Sequence, residues 1–540
     1  MGSDSENRHG SGSAGPAGAA AGGSGAARPA SADAGAAAGD PAQPTGDPAS
    51  GGPGGATGEQ RSTLTDSGPD AGEQGLGWTG DEPAPAPPAP AAPAKPRGKL
   101  DAYFQVTELG STYRRELMAG TVTFLAMSYI LAVNPSILGD EGPLGALGIP
   151  TQAVFTATAV AAVFGTLVMG IWARYPIALA PGMGLNAFFA FTVVQSMGIP
   201  WQTALSGTLL SGIIFFVLAV TKVRERILDS IPMQLKLAVG AGIGLFIAFI
   251  GLKNAGFVVA SEATFVKLGD LTEGRTLLAF FGLVVTVVFL VLGRHGAVLI
   301  GIVSTTVLGM LTGLVELPDG VAALPRGLDQ TFGQAIVHLP DAFTGQMIVV
   351  VLTMLFVDFF DASGTLIGVA KQAGLLNERG RLPRAASALA ADSVGTTAGA
   401  IIGTSTTTAY VESTAGVSAG GRTGLTAVTT AGWFLIAMFC YPIFAVVASA
   451  GEVTAPALIV VGVLMARSLG EIEWGNLEYA IPAFLTIVLM PLSYSIANGL
   501  AMGMLFYPIV MVARGRIRDV HPVMWVLMLV FLGYFFFLAE

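Results

Sequence analysis

"RYPIALAPGMGLNAFFAF", residues 174–191, is the stretch whose reading decides the fold. It is apolar enough for a bilayer interior, yet Pro176, Pro181, Gly182 and Gly184 argue against one continuous helix. A short extended piece leading into a half-helix near Gly182 fits better, and Asn186 then lies in the first turn of that half-helix. Irregular backbone at membrane depth is tolerated only where it is buried in protein or lines a cavity. The other half of the chain holds a stretch of the same character, "GTSTTTAYVESTAGVSAGG", residues 403–421. β-Branched Thr406, Thr407 and Thr408 suit a short extended segment, and Glu412 begins the half-helix that follows. Two interrupted segments, one in each half, point to the binding site of an inverted-repeat transporter. Half-helix N-termini carry positive dipole ends and free N–H donors, which suit polar or anionic substrate groups.

The surroundings agree with that reading. Of 540 residues, 52% are hydrophobic and only 12% charged, and the mean hydropathy is +0.66. Soluble domains carry about 25% charged residues, so the chain reads as an all-α polytopic membrane protein. Candidate spans fall near 117–138, 153–173, 183–197, 202–221, 233–253, 276–293, 296–315, 346–370, 385–402, 412–420, 425–449, 453–468, 478–493 and 496–513. These make about fourteen, two of them too short to cross alone. Residues 523–538 are apolar but brief, either an extra span or an interfacial helix. Fourteen spans place Arg114 and Arg115; Lys222, Arg224 and Arg226; Arg294; Lys371, Arg379, Arg381 and Arg384; and Arg514, Arg516 and Arg518 all on one side. Cationic loops face the cytoplasm, which also puts the N-terminal tail there and the protein in the cell membrane.

Residues 1–100 are an Ala/Gly/Pro/Ser-rich tail whose only large aromatic residue is Trp78. It cannot bury enough surface to fold and reads as disordered. No apolar stretch near Met1 offers a secretory signal core. The net charge of −9 and the absence of a basic patch give no sign of nucleic acid. One cysteine, Cys440, excludes an intrachain disulfide. The four histidines, His9, His295, His338 and His521, fall in the tail, loops or segment edges, so no metal site is expected.

"LFVDFFDASGTLIG", residues 355–368, sets two aspartates in an apolar segment. Asp358 and Asp361 are three apart and share one side of a helix. Intramembrane carboxylates are rare and mark substrate or proton pathways. Neighbouring carboxylates resist joint ionisation, so one binds substrate while the pair exchanges a proton. The plainer readings are a cap or a bond to backbone freed by a break for each aspartate, and a helix-start charge for Glu412. Gly182 and Gly184 read as close-packing positions, and Asp392 in "LAADSVGTTAGA" as structural. An intramembrane aspartyl protease needs two aspartates facing across a cleft, a poor match to two on one helix. An anion carrier of the same architecture would prefer basic site residues.

"ELMAGTVTFLAMSYILAVNPSIL", "ALAPGMGLNAFFAF", "FVDFFDASGTLIGVA", "GTSTTTAYVESTAGVSAGGRTGLTAV" and "IPAFLTIVLMPLSYSIANG" resemble the AzgA-like adenine, guanine and hypoxanthine permeases. These belong to the nucleobase–cation symporters, the nucleobase–ascorbate transporter superfamily. The resemblance covers roughly residues 100–513. It implies import of purine nucleobases (guanine, hypoxanthine and/or adenine) by proton symport, with uracil or xanthine as the alternative cargo. It implies fourteen segments in a 7+7 inverted repeat, with short strands in the third and tenth. The core is expected at about 115–222 and 346–449, the gate at about 230–315 and 453–513, and a basic loop with a short apolar segment at 514–540. By the same resemblance Asn186, Asp358, Asp361 and Glu412 bind substrate, and Asp358, Asp361 and Glu412 couple the proton. Asp361 matches the acidic substrate position of the eighth span in uracil carriers. No cofactor is implied beyond the proton gradient, and a homodimer is allowed. Carboxylates accept ring and exocyclic N–H groups, and a protonated one donates to O6 or N7. Phe188, Phe189 or Phe360 would stack on the ring.

A chain truncated to begin near Pro96 is expected to keep full specific uptake at equal membrane abundance. Labelled-purine uptake beside the full-length protein checks this, and a loss of specific activity refutes a dispensable tail.

Overall fold

The computed structural model describes residues 98–140, 147–221, 230–377 and 382–537. The tail expectation and the cations Lys222, Arg224, Arg226, Arg379 and Arg381 lie outside the described residues. The architecture is mostly helical. After the short α1 (Lys99–Phe104) come α2 (Tyr113–Met127), α3 (Ile130–Leu138) and α4 (Thr151–Val168), which continues in wider turns to Ala173. Then follow β1 (Leu179–Pro181), α5 (Met183–Ala187) with its continuation Phe188–Ser196, α6 (Trp201–Val220) and α7 (Met233–Asn254). An exposed hairpin, β2 (Val258–Ser261) and β3 (Phe265–Leu268), occupies a loop that the sequence marks only as acidic. Next are α8 (Gly274–Val291), α9 (Ala297–Thr312), α10 (Gly345–Gln372), α11 (Ala385–Ile402), β4 (Thr407–Ala409) and α12 (Ser413–Ser418). The remainder is α13 (Gly424–Ala437), α14 (Tyr441–Ser449), α15 (Gly451–Met465), α16 (Leu477–Leu492), α17 (Ile496–Ala513) and α18 (Pro522–Phe537).

Among the described residues, ten helical stretches are long and apolar enough to cross a membrane by length and composition, and four apolar helices are shorter. The shorter four are Met183–Ser196, Ala297–Thr312, Leu477–Leu492 and Pro522–Gly533. Helix starts follow local chemistry. The Thr344 hydroxyl accepts the Met347 N–H at 3.3 Å to open α10, and Ser495 accepts the Asn498 N–H at 3.3 Å to open α17. Pro442, in the first turn of α14, interrupts the helix that began at Gly424.

The helices pack in two groups. In one, α6 lies on α10 and α11, α4 on α11 and α13, and α2 on α12 and α13. In the other, α7 lies on α15 and α16, α8 on α9 and α15, and α16 on α17. Close approach within the second group needs bare backbone: a Cβ on Gly462 would meet the Gly244 carbonyl oxygen at 2.4 Å. The terminal helix α18 buries Met524, Leu527 and Phe531 against α17 and α10 while Val526 and Leu529 stay exposed.

The junction between α12 and α13 is held by a charge. Buried Glu116 on α2 accepts the Arg422 and Thr423 N–H groups at 3.0 and 3.2 Å, and the Thr423 and Thr426 hydroxyls at 2.9 and 2.5 Å. Four donors there converge on this carboxylate. Glu116→Ala is therefore expected to destabilise the protein by about 3 kcal/mol, because hydrogen bonds to a charged group are strong and four donors lose their acceptor. Thermal unfolding in detergent micelles checks this.

Candidate functional site

The two interrupted segments meet. β1 and β4 pair antiparallel with Leu179 opposite Ala409, Ala180 opposite Thr408 and Pro181 opposite Thr407. The ladder extends through Gly182 N–H to the Thr406 carbonyl at 2.9 Å and Tyr410 N–H to the Ala178 carbonyl at 3.0 Å. Because the strands are antiparallel, α5 and α12 leave the crossing in opposite directions. Both strands are fully buried. Their outward-facing polar groups are met by side chains: Asp392 accepts the Ala409 N–H at 2.7 Å, the Ser413 hydroxyl accepts the Ala178 N–H at 3.0 Å, and the Thr166 hydroxyl lies 2.9 Å from both the N and the O of Leu179. Asp392 is thus a backbone anchor of β4. Gly182 is required by space, since a Cβ there would sit 2.8 Å from the Thr408 methyl, and one on Gly184 would sit 2.6 Å from Ile243 of α7.

The four expected site residues gather at this crossing in unequal settings. Asn186 is fully buried: it donates to Asn134 Oδ1 at 2.6 Å and accepts from the Ser405 hydroxyl. Asn134 in turn donates to Thr158 and Thr404 at 2.7 and 3.0 Å. The Asn186 amide therefore ties the α5 turn to the approach of β4. Asp358 is also fully buried. Its Oδ2 lies 2.9 Å from the Thr396 hydroxyl, which lies 3.0 Å from the Thr407 carbonyl, and its Oδ1 has no hydrogen-bond partner. Asp361, one turn on, is exposed. Glu412 is half-buried at the start of α12, where Tyr129, in the break between α2 and α3, donates its hydroxyl to Oε1. Asp361 and Glu412 lie close enough for their charges to interact, with Tyr410 beside both. Tyr410 is held in place by its hydroxyl on the Pro181 carbonyl at 2.5 Å.

From Asp361 an exposed stripe runs through Gly364 and Gly368 to Lys371 at the end of α10. A Cβ built on Gly364 or Gly368 would meet nothing within 4 Å. Where α5 continues past the crossing, rings fill the space instead: Phe191 packs edge-on against Phe246 and Tyr494 at 6.3 and 5.4 Å between centroids. Of the three aromatic candidates, Phe188 and Phe189 are fully buried, whereas Phe360 is half-buried beside Asp361. Sequence reasoning missed Tyr129, Tyr410, Asn134 and Ser405. Tyr410, two residues before Glu412, and the polar Asn134 and Ser405 in apolar surroundings were the available signals.

The profile of a family described as "Permease family" matches residues 114–517, which include both crossed segments and α10. The chain belongs to this permease family. It is 53% identical to the guanine/hypoxanthine permease PbuG of Bacillus subtilis over 442 residues, covering 81% of this chain and all of that one. It is 43% identical to the adenine permease AdeP of Escherichia coli over 436 residues, covering 81% of this chain and 96% of that one. Among solved structures, the transmembrane domain of the cyanobacterial bicarbonate transporter BicA shares the fold, with a TM-score of 0.52 at 15% identity over 72% of this chain and 97% of that one. The resemblance carried by the motifs holds. The permease is a multi-pass membrane transporter and not an enzyme, so the protease reading falls.

If Asp392 anchors β4, Asp392→Ala should lower thermal stability by about 2 kcal/mol by leaving a buried N–H without an acceptor. Asp392→Asn keeps an acceptor and should recover most of that loss. Equal loss in both variants, read by thermal unfolding, would mean that the charge rather than the acceptor matters.

Proposed function

We propose that this permease imports purine nucleobases by proton symport, with guanine, hypoxanthine and adenine as the candidate cargo. The carrying observation is the pair Asp361 and Glu412: two accessible carboxylates within electrostatic reach at a buried strand crossing, with an exposed stripe of α10 running on from Asp361. Purines present ring N–H and exocyclic amine donors that such carboxylates accept. Bringing two like charges together favours a proton on one of them, which links ligand to proton. Relatives named as guanine/hypoxanthine and adenine permeases support the purine class. In this reading Asp361 and Glu412 touch the substrate. Asp358 and Asn186 stand behind them, holding β4 and α5, and Asp358 shares the proton. A bicarbonate-type cargo, which the fold alone would allow, is disfavoured because anions avoid two carboxylates.

The architecture in this reading is fourteen segments in a 7+7 inverted repeat. Support comes from helix contacts that occur in exchanged pairs. Contact of α6 with α11 is mirrored by α13 with α4, α6 with α10 by α13 with α2, and α8 with α9 by α16 with α17. The group containing β1 and β4 is then the core and the other the gate. In this reading the cationic loops put the Lys371 end of α10 on the cytoplasmic side, so the exposed stripe from Asp361 faces inward and the Phe191–Tyr494 rings lie toward the outside.

Glu412→Gln should weaken purine binding by about ten- to a hundredfold, the worth of a charge-assisted hydrogen bond. Asp361→Asn should abolish accumulation against a gradient, and wild-type accumulation should collapse with a protonophore. Uptake of labelled hypoxanthine, guanine, adenine, xanthine, uracil and bicarbonate is the test. Unaltered binding and accumulation in both variants, or no purine uptake by the wild type, overturns the reading.

A further inference from the structure

The two helix groups touch near the site through a charge. Lys236, in the first turn of α7, places its Nζ 5.4 Å from the centroid of the Phe360 ring on α10. The ring is held by its own helix, stacked on Phe356 at 6.2 Å and edge-on to Phe359 at 5.8 Å. Lys236 is half-buried, and Phe360 immediately precedes Asp361 at the head of the exposed stripe of α10. An ammonium over an aromatic face is attracted by the ring quadrupole, more so when water is partly excluded. A lysine's aliphatic stem lets the side chain lie along apolar surface while its head reaches a ring.

We propose that Lys236 is a positioning residue of the transport cycle. Seated on Phe360, its ammonium latches the α7 group to the site helix α10 in the arrangement where Asp361 and Gly368 are exposed. This rests on the core-and-gate reading above and adds to it that the two groups shift against each other during the cycle. Such a shift separates partners carried on different groups, whereas contacts within a group travel with it. A ligand or contact biases a conformational equilibrium only by its differential interaction with the two states. A cation–π contact present in one state alone biases it by roughly two- to thirtyfold.

Gly368 supplies a reporter, because a side chain there meets nothing within 4 Å. The parent is Gly368→Cys with Cys440, the only native cysteine, changed to serine. Purified protein in lipid nanodiscs is labelled with a water-soluble maleimide, without and with saturating hypoxanthine. Lys236→Met is expected to slow labelling by at least twofold and up to about thirtyfold. Lys236→Arg keeps a cation over the ring and should stay within twofold of the parent. Phe360→Leu should slow labelling as Lys236→Met does, and the double variant should be no slower than the slower single. Phe360→Leu also carries the test if Lys236→Met fails to fold, as judged by size-exclusion chromatography. Parental labelling in Lys236→Met, or effects that multiply in the double variant, overturns the latch. If hypoxanthine does not alter labelling of the parent, the moving-group reading fails. If it does and the Lys236 variants match the parent, the latch alone fails.

Discussion

The antiparallel crossing of β1 and β4 is the constraint on which the rest depends. Six residues of extended backbone lie fully buried in a membrane protein, where an unpaired N–H or C=O costs several kcal/mol. Neither strand can satisfy itself. Each uses the other on one edge, and the remaining edges are met by Asp392, Thr166, Ser413 and Thr396 from α11, α4 and α12. These side chains explain why α4 and α11 flank the crossing and why small residues line it. The half-helices α5 and α12 then have no freedom of placement.

The same constraint distributes the acidic residues. Asp392 and Asp358 are drawn into the hydrogen bonding of β4, directly and through Thr396. Glu116 performs the corresponding work at the α12–α13 junction. Of the acidic residues around the crossing, Asp361 and Glu412 stay accessible. Within a single turn of α10, Asp358 turns toward the strand and Asp361 toward the exposed stripe. Tyr129 and Tyr410 come from chain segments far apart in sequence and complete the surroundings of Glu412.

Much of this was legible in the sequence. Prolines and glycines at 176–184 and the threonine run at 406–408 located both breaks, because bilayer-buried chain without a helix has few alternatives. Helix positions followed from apolar runs, and Gly182 and Gly184 were rightly read as packing positions. The surface hairpin β2–β3 was not legible: "SEATFVKLGDLTEG" has neither a two-residue turn signature nor clean alternation. Asn186 was marked as a binding residue, yet its amide is engaged by Asn134 and Ser405, partners that only long-range folding supplies.

Sequence by itself determined the membrane class, the two broken segments and the identity of the acidic residues, because hydropathy and backbone restrictions are local properties. Tertiary structure alone decided that the breaks pair with each other, which carboxylate is buried and which is open, and that Lys236 reaches Phe360 from the other helix group. Those are matters of distance between segments tens to hundreds of residues apart, and the period of a helix fixes only the angle between Asp358 and Asp361, not what stands opposite each.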